Sequence, residues 1–156
     1  MHRLERLREV VDDILRRQPD EVERRCGFVH LYGVAATAAL LALKRGMDPE
    51  LCTAAGMLHD IWAYKSGDPA NHAELGAPEA ERILRELGDY TEDEISAICA
   101  AIARHSDKRG IHTDLCELLK DADVLQHHLY NTSLTPHEKH VERLNDLRSE
   151  LGVGSA

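Results

Sequence analysis

The sequence predicts an all-α protein on three observations. Aromatic residues make up only 4% of the 156-residue chain. A core must therefore be built from Leu, Ile, Val and Ala, which favours packed helices over strands rich in aromatic and β-branched side chains. Apolar residues recur at helical spacing along most of the length, and no run alternates with period two long enough to argue for a strand. The length fits one domain with a real core, and 43% hydrophobic with 30% charged residues is a globular composition.

The elements follow in order. Residues 3–17 carry the stripe Leu4, Leu7, Val10 or Val11, Ile14 and Leu15, a first helix. Pro19 and Asp20 restart the chain into a second helix over 21–45, with acidic residues in its first turn and Gly46 as its C-cap. Pro49 and Glu50 open a third, expected to run through "ELCTAAGMLHDIW" and to end in the polar loop "YKSGDPAN". "HAELGAPEAERILRELG" is a fourth helix closed by Gly88. "TEDEISAICAAIARHS" is a fifth, opened by a capping box of Thr91 and Glu94. After the loop "DKRGIHT" come a sixth, "DLCELLKDADVLQHHLY", and a seventh, "TPHEKHVERLNDLRSELG", and the tail "VGSA" is expected to fray. Short connections make this one compact bundle of about six to seven helices over residues 1–156.

Charge and cysteine usage narrow the function. A net charge of -9 with no basic face argues against a nucleic-acid polymer as partner. A small phosphorylated ligand stays open, because a bound metal supplies positive charge locally. Cys26, Cys52, Cys99 and Cys116 lie far apart without a C-x-x-C pair, reading as reduced thiols of a cytoplasmic protein. The N-terminus is charged and amphipathic, unlike a signal peptide. Apolar stretches such as "GVAATAALLAL" read as too short to span a bilayer. The first and last helices are amphipathic; packing on their own domain or forming a homodimer explains them equally well.

The pair His59-Asp60 stands in the apolar run "AAGMLHDIW", where both groups would be costly to bury without partners. His30, His72, His105 and the acidic pair Asp121/Asp123 stand in or beside other helices. Imidazole and carboxylate together suit a divalent cation that keeps exchangeable positions, and such a cation generates hydroxide at neutral pH. The absence of cysteine from the set argues against a closed structural zinc site.

This order, "H…HD…D" with the last Asp in "KDADVL", resembles the HD-domain superfamily of metal-dependent phosphohydrolases over roughly residues 26–130, leaving 3–17 and 136–151 as flanking helices. The resemblance implies that His30, His59, Asp60 and Asp123 bind a first metal. It further implies that His72 and His105 hold a second metal or orient substrate, with Asp60 as bridge. The implied cofactor is one or two ions of Mn, Fe, Co, Ni, Zn or Mg. Family members often continue "HDIG"; here Trp62 follows and is expected to reshape the pocket. "D-A-D" spacing puts Asp121 and Asp123 on different helix faces, and Asp123 is favoured to point inward.

The expected activity is hydrolysis of a phosphomonoester or phosphoanhydride of a small molecule, foremost a nucleotide. Asp60, His72 and His105 would serve catalysis, and Lys65 would steady the phosphate. Arg104, Lys108 and Arg109 are loop cations that could do the same. His112, His127, His128, His137 and His140 read as solvated residues outside the pattern. A di-iron oxygenase of the HD type and a non-catalytic nucleotide-binding module remain the alternatives.

Overall fold

Capping chemistry sets where the helices begin. The computed structural model describes residues 2–154. Its helices are α1 (Arg3–Arg16), α2 (Glu21–Arg45), α3 (Pro49–Leu58), α4 (Ile61–Ser66), α5 (His72–Leu87), α6 (Glu92–Arg104), α7 (Asp114–Tyr130) and α8 (Glu138–Leu151), with no strand among the described residues. The Asp20 carboxylate accepts from the Val22 and Glu23 amides at 2.8 and 3.0 Å, opening α2, and Asp48 does the same for α3. Thr91 and Glu94 form the reciprocal capping box of α6. Gly46, at φ 68, ends α2 in the left-handed conformation that glycine adopts at least cost.

Two expectations need correction. The third helix does not run through "HDIW": α3 stops at Leu58, Asp60 takes a non-helical backbone (φ -112, ψ 15), and α4 restarts at Ile61. Tyr64 to Ser66, expected in a loop, belong to α4. The fraying expected of the tail falls partly on residues 155–156, outside the described residues.

One apolar core joins the helices. α1 contributes Leu7, Val11 and Leu15, and α8 contributes Leu144 and Leu147, so both flanking helices spend their apolar faces on the protein's own interior. α2 is the central element, packed chiefly on α3 and α7. It is also long and apolar enough, by length and composition, to cross a membrane, a property the reading of its short apolar runs missed. A charged clasp ties α2, α7 and α8 together. Asp121 receives Arg45 and Arg143, each at 2.7 Å, while Glu117 receives Arg143 at 2.9 Å and the fully buried Lys120 at 2.8 Å.

One missing side chain lets α2 and α3 approach closely. A Cβ on Gly56 of α3 would lie 2.7 Å from the Ala35 Cα of α2, so only glycine lets these backbones meet. That contact lies one turn from His59 and from His30, and it sets the distance between them.

Candidate metal centre

Five separate elements aim polar side chains at one buried point. α2 supplies His30 and the α3–α4 break supplies His59 and Asp60. His72 begins α5, His105 caps the C-terminus of α6, and α7 carries Asp123 in its buried middle. The break matters. In an unbroken helix consecutive side chains diverge by about 100°; the turn at Asp60 lets neighbours 59 and 60 face the same cluster. Asp60 occupies the N-cap position of α4 yet makes no capping bond, so its carboxylate remains available. His72 is placed by Asn71, the non-glycine residue with positive φ (52°), a conformation asparagine tolerates.

Each imidazole is oriented through its Nδ1. His59 Nδ1 lies 2.8 Å from the Gly56 carbonyl, His105 Nδ1 2.7 Å from Ile102, and His72 Nδ1 2.8 Å from Pro69. A carbonyl oxygen only accepts, so the proton sits on Nδ1 and donates outward. His30 makes the same bond to the Gln126 side-chain oxygen at 2.8 Å. All four rings therefore turn Nε2 inward, the arrangement that outer hydrogen bonds impose on metal-ligating histidines.

The inward atoms match a cation in spacing and in charge. His30 Nε2 and His59 Nε2 are 3.0 Å apart. Ligand nitrogens bound at about 2.0–2.1 Å and mutually perpendicular lie about 3 Å from each other. Asp60 Oδ2 stands 3.2 Å from His30 Nε2 and 3.4 Å from His59 Nε2, while Oδ1 stands 3.1 Å from His105 Nε2 and 3.4 Å from His72 Nε2. The two oxygens thus serve two imidazole pairs. Asp123 Oδ1 lies 3.6 Å from His30 Nε2 and 3.9 Å from His59 Nε2. Both Asp60 Oδ1 and Asp123 Oδ1 are buried without a hydrogen-bond donor of good geometry, an expensive condition that a cation relieves. The residues present fit one or two divalent ions. The sets His30–His59–Asp60 and Asp60–His72–His105 each bring their ligand atoms within 4.8 Å of one another.

Electrostatics point the same way. Burial pushes the Asp60 carboxyl pKa up, but His59, His105 and His30 overcome it and hold the group well below the ordinary carboxylate value. Asp123 behaves alike: burial opposes ionisation, and His127, Lys108, His59 and His30 outweigh it. Burial favours the uncharged form of His30, yet Asp60 and Asp123 raise its pKa in net terms. Both carboxylates are therefore ionised in buried positions, the form in which they can hold a cation.

Not every expected residue arrives. Lys65 turns away: its Nζ donates at 2.9 Å to Oε1 of the buried Glu79, which it shares with Arg82, because α4 carries the residue past the site. Lys108 stands at the centre instead, its buried Nζ donating to the His105 carbonyl at 2.8 Å and to Asp123 Oδ2. Asp121 faces the opposite way, onto Arg45 and Arg143. Trp62 is half-buried beside Gly76 of α5 and forms no wall of the cavities that reach the site.

His127, read as a solvated residue, joins the cluster. Its Nε2 lies 3.3 Å from Asp123 Oδ1, and with His30 and Asp123 it forms a further group able to hold an ion. The signal was present as spacing, since residues four apart on a helix share a face. A cavity of about 430 Å³ opens at this side, walled by Asp60, His72, Ser106, Lys108, Asp123 and His127, and by His137 and His140 from the start of α8. Burial, with the neighbouring Lys108, lowers the His140 pKa to about 4, so that ring is uncharged near neutrality. A second cavity of about 490 Å³ reaches Asp60 from the side of Gln18 and Tyr64.

Comparison with known proteins agrees with this geometry. The family model described as HD domain matches residues 27–127. A crystal structure of a predicted HD superfamily hydrolase from an uncultured Thermotogales bacterium is similar to this chain, with a TM-score of 0.63 at 20% sequence identity, covering 92% of this chain and 86% of that one. At that identity the likeness is one of fold. The family match spans His30, His59, Asp60, His72, His105, Asp123 and His127 alike, and the chain belongs to the HD-domain family.

Proposed function

We propose that this centre is that of a metal-dependent phosphohydrolase acting on a small phosphorylated molecule, foremost a nucleotide phosphomonoester or phosphoanhydride. The observation that carries the reading is the division of Asp60, one oxygen toward His30 and His59 and the other toward His72 and His105. His30, His59, Asp60 and Asp123 would hold a first ion, and Asp60, His72 and His105 a second. A divalent cation bound there supplies Lewis acidity toward a phosphoryl oxygen and lowers the pKa of a coordinated water. An imidazole-rich set favours Mn, Fe, Co, Ni or Zn over Mg, which prefers oxygen ligands.

The remaining chemistry belongs to the chain. Lys108 fixes Asp123 and places an ammonium at the cavity wall, where it can offset charge on a phosphate. Ser106 Oγ lies 3.0 Å from His72 Nε2 and lines the same wall, positioned to hydrogen-bond a substrate oxygen. All four cysteines are free, which supports a reducing, cytoplasmic setting.

The shared carboxylate also suits a pair of irons that use dioxygen, so the deciding experiment separates the two chemistries. Protein loaded with Mn²⁺ or Co²⁺ is offered nucleoside mono-, di- and triphosphates without oxygen, and released phosphate is measured. Turnover under these conditions supports hydrolysis. Absence of phosphate release with every metal, together with oxygen uptake by the iron-loaded protein, would replace it with the oxidative reading.

A further inference from the structure

The protein's core covers only one of two apolar faces on α2. From Cys26 to Leu43 the helix contains no Asp, Glu, Lys or Arg. Its outward face nonetheless meets solvent: Val22, Val29, Leu40 and Leu43 are 56%, 45%, 57% and 69% exposed. A surface helix ordinarily carries charge there, and one that is apolar all round is ordinarily covered. Val22, Val29, Ala36 and Leu43 recur every seven residues, with Cys26, Gly33 and Leu40 interleaved between them. This is the 3.5-residue period of a helix-pairing seam. Leu129 and Tyr130, 58% and 66% exposed, lie at the end of α7, one turn beyond the Gln126 that packs on Gly33.

We propose that this face is a two-fold, antiparallel interface between two copies of this chain. A two-fold interface must complement itself, and the seam does so when reversed. Val22 then meets Leu43, Cys26 meets Leu40, and Val29 meets Ala36, with Gly33 nearest the axis. Smaller residues fall toward the centre, where Gln126 of the same chain packs on Gly33, and larger ones at both ends. The exposed Glu23 of the first turn and Lys44 of the last lie on one flank of the seam. Antiparallel pairing about a two-fold sets Glu23 of each copy beside Lys44 of the other, whereas parallel two-fold pairing carries this flank to opposite sides of the seam and forms neither pair. A lipid surface fits less well, because the rim is mixed in charge, Glu21 and Glu23 against Arg25 and Lys44, and the chain has a net charge of -9. The seam is a single helix about 33 Å long, which places the interface at the small end of the range for specific association, so micromolar self-association is expected.

The test is light-scattering mass of the wild-type protein from micromolar to submillimolar concentration, with L40E/L43E alongside. The proposal expects the mass to climb to twice that of one chain. The variant should hold the single-chain mass to at least tenfold higher concentration while keeping its circular dichroism and metal content. E23K and K44E should each weaken association about three- to tenfold, as expected for two exposed ion pairs, and E23K/K44E should restore it. These exposed swaps keep the test decisive should L40E/L43E unfold. Wild-type protein at single-chain mass throughout, a dimer that survives L40E/L43E, or a single-chain species that sediments with phosphatidylserine vesicles would each overturn the proposal.

Discussion

His30 of α2 and His59 of the α3–α4 break hold their Nε2 atoms 3.0 Å apart while each Nδ1 is tied to an oxygen behind it. When both rings are neutral with the proton on Nδ1, these two inward nitrogens have no proton donor between them, and the carboxylates of Asp60 and Asp123 stand beside them. The predictions below follow from this buried demand for a cation.

Metal removal should destabilise the fold. A cation held at one hundred times its dissociation constant adds about 2.7 kcal/mol to the native state, or about 8 °C in Tm for a chain of this size. Chelation of wild-type protein should lower Tm by that order in a thermal melt. In H59A and D60A added Mn²⁺ should leave Tm unmoved, and metal analysis should find the ion absent. Full activity in metal-free D60A would refute the mechanism.

Gln126→Leu tests the support behind His30. The change removes the oxygen that accepts the His30 Nδ1 proton at 2.8 Å while keeping similar bulk. Loss of such an outer bond weakens metal binding about 10- to 100-fold, measurable by calorimetric titration. Unchanged affinity would show that packing alone orients the ring.

Lys108→Met should separate stability from metal affinity. Without metal, the variant leaves Asp123 short of its bound ammonium, at a cost of about 3 kcal/mol. With metal, the ion no longer competes with Lys108, so affinity for Mn²⁺ should rise. Turnover should fall, since the cation at the cavity wall is gone.

Gly56→Ala should push two helices apart. The added carbon would meet Ala35 Cα at 2.7 Å and Ala35 N at 2.9 Å, backbone atoms that cannot rotate away. Overpacking of this kind costs about 2 kcal/mol. Because the contact sets the His30–His59 distance, metal affinity should fall with Tm. A lowered Tm at unchanged affinity would uncouple the two.

Glu117→Gln should flatten the acid limb of the stability curve. Burial raises the Glu117 pKa, but hydrogen bonds from Lys120 and Arg143 more than offset it, leaving the group below the ordinary glutamate value. A depressed carboxyl stabilises the fold fully above its unfolded pKa, and that contribution fades as pH falls through the folded one. The Tm of the variant should therefore lie below wild type at pH 7 and converge with it in acid. A constant gap across pH would assign the loss to packing.

The sequence alone determined the helical class, most helix boundaries and the identity of the central donors, because capping residues and apolar periodicity are local signals and His59-Asp60 is conspicuous in an apolar run. Tertiary structure decided which of several similar residues take part. Lys65 and Lys108 are both lysines in or beside loops, yet a short helix delivers one to Glu79 and an otherwise exposed turn points the other inward to Asp123. Asp121 and Asp123 differ only in helix face, a distinction that spacing can suggest and packing must settle. His127 is the surface residue the sequence suggests, its side chain 54% exposed, yet packing of α2 against α7 also brings its ring to Asp123. The outward seam of α2 was hidden for the same reason. Exposure is a property of how elements pack, so a sequence that is apolar on every side cannot say which side the fold leaves open.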